Sequence, residues 1–221
     1  MNPLLLVGAG ALRAAGHWRL ALLLYLPSAG LALIAALPLF AARPRGRIVN
    51  VTSIGGKISV PHLLPYSVSK FAAVGYSEGL RAELARRGIS VTTVCPGLMR
   101  TGSARNATFK GQNEKEYAWF ALSDTLPAVS IAASSAARAI VDAALQRRAE
   151  IVLTVPAKAG VLLHGLAPGL TANMLALAAR LLPGRGGIQT RAAKGFQSES
   201  PLTRSILTAL GRKAERDYNQ L

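Results

Sequence analysis

Acidic residues are scarce in this chain: 10 Asp and Glu stand against 26 Lys and Arg, and none precedes Glu78. The formal net charge of +16 would suit nucleic acid or an anionic membrane surface. Yet the arginines are scattered as pairs, such as Arg86-Arg87 and Arg147-Arg148, without interleaved aromatics or a nucleic-acid motif. Nucleic acid is therefore not an expected partner. The one cysteine, Cys95, excludes an internal disulfide and so a disulfide-held secreted scaffold. It lies inside a strand pattern and reads as a buried structural thiol, and the chain reads as cytoplasmic. His17, His62 and His164 are dispersed, with no metal-ligand spacing, so no metal site is expected.

Apolar residues fill the gap. They make up 51% of the 221 residues, the mean hydropathy is +0.32, and charged residues reach only 16%, below the usual quarter. Residues 1–29 form an anomalous apolar segment. Gly8, Gly10 and Gly16 superficially suggest a phosphate loop, but the dinucleotide spacing is wrong and no acidic residue follows about twenty positions later. Residues 20–42 carry no charge and are flanked by arginines, long enough to cross a bilayer. The competing reading makes residues 30–43 a buried helix against a sheet, and that reading is preferred. Residues 157–183 are again apolar and helical, interrupted at Pro168-Gly169; partner-subunit packing and membrane contact are both open there. Residues 184–221 turn polar and are expected to form a loosely ordered extension.

Between these segments the pattern is regular. Residues 47–52 read as a buried strand and 65–87 as a helix with an apolar stripe of Phe71, Val74, Leu80 and Leu84, stopped by Gly88. Residues 89–95 read as a second strand, 131–148 as a helix and 150–155 as a strand. Strand, helix, parallel strand is the unit of a doubly wound α/β sheet. Residues 98–129 show little periodicity and read as a long loop. Its Tyr117, Trp119 and Phe120 either wall a substrate or anchor the loop in a core.

The chemistry centres on Pro65-Tyr66-Ser-Val-Ser-Lys70, with Ser53 at the end of the preceding strand. A spacing of four puts Tyr66 and Lys70 on one helix face. A free phenol, with a pKa of about 10, is too weak an acid for exchange near neutrality, and an adjacent cation is expected to lower it. Ser53 is placed to hydrogen-bond a substrate oxygen whose charge changes. His62 lies on the loop before Tyr66, where it either lines the site or is a plain loop histidine. Hydrolysis through Ser53 lacks an elbow motif and a positioned His/Asp partner.

The run from Gly46 to Ser53, Pro65 to Lys70, and Ile89 to Pro96-Gly97-Leu-Met99-Arg-Thr101 resembles the short-chain dehydrogenase/reductase family from about Ala35 to Thr101, and more loosely to Pro156. The resemblance implies a partial Rossmann-like, doubly wound parallel sheet over 30–156, corresponding to the family's C-terminal half and truncated at the N-terminus. It implies Ser53, Tyr66 and Lys70 as the catalytic trio of an alcohol–carbonyl oxidoreductase. It further implies NAD or NADP held by Tyr66, Lys70, Pro96, Gly97, Met99 and Thr101, a small-molecule alcohol or carbonyl substrate, and a homo-oligomer. The family's Asn-Asn-Ala-Gly segment is absent, and its fourth catalytic residue, an asparagine, would fall near Tyr25 to Ser28, where none stands. The same departures favour a second expectation: an inactive fragment of the family serving as a membrane-associated or subunit-binding module.

Overall fold

The computed structural model describes residues 46–184 and 192–220. The glycine-bearing stretch 7–16, the apolar segment 20–42 and the positions near Tyr25–Ser28 lie outside the described residues.

Three parallel strands form the main sheet, in the order β1 (Arg47–Val51), β2 (Ser90–Pro96), β6 (Glu150–Leu153). β2 is central, and from Val91 onward its residues are buried. A strand covered on both faces cannot alternate polar with apolar, which is why Val-Thr-Thr-Val-Cys reads as one continuous run. Its threonines are buried because each hydroxyl finds a partner. Thr93 Oγ1 meets Ser77 Oγ at 2.7 Å, and Thr92 Oγ1 donates to the Arg148 carbonyl at 2.7 Å.

Helix α1 (Leu64–Leu84) connects β1 to β2. Proline at its second position loses no intrahelical bond, since the first turn's N–H groups have no helical acceptor. A 3₁₀ turn (Ala85–Arg87) extends the helix to Gly88, whose φ of 68° is the left-handed stop that glycine takes without cost. Leu84 packs with Ile48, Ile89 and Val91, and Leu80 lies against them. Phe71, expected on the same buried stripe, is instead exposed.

The opposite face is covered by α4 (Ala133–Leu145), whose Ala136 packs with Val94 and Leu153. Val91 faces α1 and Val94 faces α4, three positions apart, as the two-residue period of a strand requires. Helices on both faces of a parallel sheet make this the α/β, doubly wound arrangement. Cys95 is fully buried with its Sγ 3.3 Å from Thr52 Oγ1, and burial pushes its thiol pKa up.

Two regions differ from expectation. Residues 98–129 are not a bare loop. They contain β3 (Leu98–Arg100), α2 (Ser103–Asn106), β4 (Thr108–Phe109) and the thirteen-residue α3 (Asn113–Thr125), and β3 pairs with β5 (Ser130–Ala132). The helix escapes a periodicity search because its buried positions include the polar Asp124 and Thr125 beside Tyr117 and Ala121. Within the polar 184–221 segment, the described residues 192–220 are not loose either. Its β7 (Ala193–Lys194) pairs antiparallel with β4, and α7 (Ala209–Asp217) follows a turn at Ile206–Thr208. Glu199 ties this segment to α2 through Arg105 and to its own Arg204, both at 2.8 Å. The Gly102 amide donates to Gln220 Oε1 at 2.6 Å. In this charge-rich segment Glu199 and Glu215 are drawn in from water, while Arg204, Lys213 and Asp217 keep most of their surface exposed.

The apolar segment forms two helices, α5 (Val155–Leu166) and α6 (Pro168–Leu181), which pack on each other and break at Ala167-Pro168.

Candidate active site at the ends of β1 and β2

The bond from Thr52 N to Val94 O, at 2.8 Å, carries the pairing one residue beyond β1 before the chain turns out of the sheet. Ser53 begins that turn. Its Oγ accepts from the Gly55 amide at 3.1 Å, capping the short 3₁₀ turn Ile54–Gly56 and leaving the hydroxyl proton free to donate. The next residue, Lys57, bonds Glu78 at 2.9 Å and Glu150 at 2.6 Å, bracing the turn against α1 and β6.

The two glycines after Ser53 hold the turn against the helix. A methyl group on Gly56 would lie 2.5 Å from the Lys70 carbonyl oxygen, a backbone atom that cannot move aside. One on Gly55 would lie 2.9 Å from Tyr66 Cε1 and 3.6 Å from Ser53 Oγ. The edge of the Tyr66 ring and the Ser53 hydroxyl thus converge on one point. Buried Ser67 fixes the helix start by accepting from the Val60 amide at 3.1 Å.

Tyr66 sits in the first turn of α1, with 40% of its surface exposed. Lys70, one turn on, places Nζ 5.5 Å from the centre of the Tyr66 ring, within cation–π reach. The trio is therefore together. Its electrostatics differ from the expected lowering by Lys70. Burial pushes the Tyr66 phenol above its ordinary value, a hydrogen bond from Ser53 opposes the rise, and the charge of Asp124 adds to it. Burial also holds the Lys70 ammonium below the usual lysine range. Burial sets the direction for the phenol, and Lys70 is not among the groups that shift it.

Pro96 ends β2 and the Gly97 amide donates to Leu153 O at 3.1 Å, so both lie at the same carboxyl edge as Ser53. Gly97 is tightly enclosed, since a methyl group there would lie 2.5 Å from Thr154 Oγ1. Met99 packs against the core beneath α4. Thr101 Oγ1 accepts from the Ser103 amide at 3.2 Å, at the start of α2. His62, in a left-handed conformation (φ 64°), bonds Glu116 of α3 through Nδ1 at 2.8 Å. It ties the loop before Tyr66 to the lobe above. Asn50 donates to Ser77 Oγ at 2.9 Å on the α1 face of the sheet, a structural role. Of the loop aromatics, Tyr117 and Phe120 join Phe109 in a small core, whereas Trp119 is exposed.

Asp124 escapes sequence reading. It lies in α3, only 5% exposed, close enough for its charge to act on Tyr66. Burial pushes its carboxyl pKa up to about 7. Nothing in Leu-Ser-Asp124-Thr-Leu signals this, because the burial comes from elements distant in the chain.

The sequence model described as short chain dehydrogenase matches residues 17–111. Mouse dehydrogenase/reductase SDR family member 7B is 34% identical over 148 residues, covering 66% of this chain and 44% of that protein. Human 17-beta-hydroxysteroid dehydrogenase 13 is 43% identical over 75 residues, covering 33% of this chain and 25% of that protein. The chain thus spans less than half the length of these curated relatives. A crystal structure of a short chain dehydrogenase from Burkholderia cenocepacia, in complex with NADP, is 32% identical, covers 66% of this chain and 51% of its own, and has a TM-score of 0.44. With the model matched across both the serine strand and the tyrosine helix, the chain over residues 17–111 belongs to the short-chain dehydrogenase/reductase family.

Proposed function

We propose that this chain carries the proton-transfer centre of an NAD- or NADP-dependent oxidoreductase that interconverts a small-molecule alcohol and a carbonyl. The observation that carries the reading is the convergence of the Tyr66 ring edge and Ser53 Oγ on one point, with Lys70 Nζ over the ring. They meet just beyond the carboxyl ends of β1 and β2, where open α/β sheets receive ligands. The relatives' names, dehydrogenase and reductase, support the reaction class.

The donor set fits a nicotinamide nucleotide. Ser53 spends no proton on the backbone and would turn the hydroxyl it shares with Tyr66 toward a substrate oxygen, and among the described residues Lys70 Nζ has no carboxylate partner to compete for its three N–H donors. Lys70 would hold the nicotinamide ribose, and Pro96, Gly97, Met99 and Thr101 would line the nicotinamide side. When bound, the nicotinamide would supply or accept the hydride. The chain's own part is the proton. Because burial favours the neutral phenol, Tyr66 enters reduction as an acid and donates from Oη to the carbonyl oxygen. Ser53 donates a second hydrogen bond to that oxygen and stabilises the charge developing there. In oxidation the deprotonated form of Tyr66 would receive the alcohol's proton at Oη, a direction that the raised pKa moves to higher pH.

Thermal unfolding with NAD or NADP tests the reading without a known substrate. Ligand at about a hundred times its dissociation constant adds about 2.7 kcal/mol. One of the two nucleotides should raise the melting temperature; no rise with either at saturation would oppose the proposal.

A further inference from the structure

The α5–α6 pair turns only two residues fully inward and leaves most of its apolar side chains in solvent. Inward, Ala157 and Thr171 are buried. Outward, α5 exposes Val155, Leu162 and Leu166. On α6 the exposed residues are Leu170, Met174, Leu177 and Leu181, spaced four, three and four apart, which is one continuous stripe of a helix. Each of these seven side chains has 52% to 77% of its surface in solvent. A run of large aliphatic side chains held out in water along two adjoining helices is a contact surface and not the scatter of single apolar residues that ordinary surfaces carry.

Charge selects the occupant. No acidic residue occurs between Glu150 and Glu199, a stretch that contains Lys158, Arg180, Arg185, Arg191 and Lys194. Lys158 is exposed on α5, and Arg180 is exposed beside Leu181 at the end of α6. A second copy of this chain would bring like charges together across a symmetric contact, against a background of +16 per copy. An anionic bilayer surface meets both features. It takes apolar side chains into the acyl boundary while its headgroups receive long basic side chains. The geometry suits lying on the membrane rather than crossing it. α6 has 14 residues, about 21 Å of helix at about 1.5 Å per residue, against a hydrocarbon core of about 30 Å. Among the described residues no helix is long and apolar enough to cross a membrane.

We infer that the outward stripe of the α5–α6 hairpin docks the protein on anionic phospholipid surfaces, with α6 lying in the plane of the interface and Lys158 and Arg180 at the headgroups.

The test is flotation of the full chain with vesicles of phosphatidylcholine containing phosphatidylserine, and with vesicles of phosphatidylcholine alone. Binding should require phosphatidylserine and weaken with added salt. The double variant Leu177→Glu/Leu181→Glu should bind at least about tenfold more weakly, with unchanged circular dichroism and melting temperature, since both positions face solvent. Undiminished binding by the variant would assign the attraction to the basic surface at large and overturn the inference. Absence of binding by the unaltered chain, or equal binding to both kinds of vesicle, would do the same. So would a vesicle-free dimer, seen by sedimentation, that the variant dissociates. A second measurement does not depend on the acidic variant. Cys95 is buried, so Leu181→Cys offers one accessible thiol for a polarity-sensitive dye. Its emission should shift to the blue on phosphatidylserine vesicles, and an unshifted spectrum would count against docking through this face.

Discussion

Replacing Asp124 by Asn isolates what burial does above the site. The carboxyl is 5% exposed, and its pKa is raised from 3.8 to about 7 by desolvation. A raised carboxylate pKa means that the folded chain holds a proton which the unfolded chain releases between about pH 4 and 7. The unfolded state therefore binds fewer protons in that window, and stability falls as pH rises through it. Three units at about 1.36 kcal/mol each bound the loss at about 4 kcal/mol above pH 7. Water penetration into the site would reduce it. Asp124→Asn keeps the shape and removes the titration. Urea unfolding should show the variant close to the parent at pH 4 and more stable at pH 8, by about 2–4 kcal/mol. The same change removes a charge that raises the Tyr66 phenol, so the alkaline limb of the oxidation profile should move to lower pH. A stability difference independent of pH would show that the carboxyl is solvated and that the low-dielectric account of the site is wrong.

Gly55→Ala places a methyl group against the edge of the Tyr66 ring beside Ser53, at 2.9 Å from Cε1. The ring should turn, lowering kcat while changing stability by no more than about 1–2 kcal/mol; unchanged kcat would remove the argument that this glycine keeps Tyr66 at Ser53. Glu199→Gln leaves half-buried Arg105, whose Nε already lacks a partner, without its carboxylate. Unfolding free energy should drop by about 1–3 kcal/mol, and amide exchange in 192–220 should quicken. Unaltered exchange would mean the C-terminal segment is held by its strand pairing and apolar contacts alone.

Local chemistry was readable in the sequence wherever it is set by neighbours in the chain. The run Arg-Ile-Val-Asn-Val, the Pro65-Tyr66 helix start, the Gly88 stop and the buried Cys95 strand all follow from propensity and period, and the structure has them within a few residues. A strand end and one helical turn suffice to bring Ser53, Tyr66 and Lys70 into one neighbourhood, so their proximity follows from chain order. What was not legible depends on contacts between distant segments. α3 buries a carboxylate and a threonine that a hydropathy pattern assigns to solvent. The 192–220 segment looks unstructured until Glu199 meets Arg105 and Gln220 meets Gly102. The sign of the Tyr66 shift is hidden for the same reason: helical spacing supplies the lysine, but the burial that raises the phenol comes from segments distant in the chain.

The most direct measurement of the central claim is nicotinamide-linked turnover by Tyr66→Phe, beside the parent chain, with the thermal shift produced by cofactor recorded on both. The change removes one hydroxyl and leaves the ring over which Lys70 sits. Loss of the proton donor should lower kcat by about 10²- to 10⁴-fold while the cofactor-induced shift is kept. Parent-like turnover by the phenylalanine variant would contradict the account.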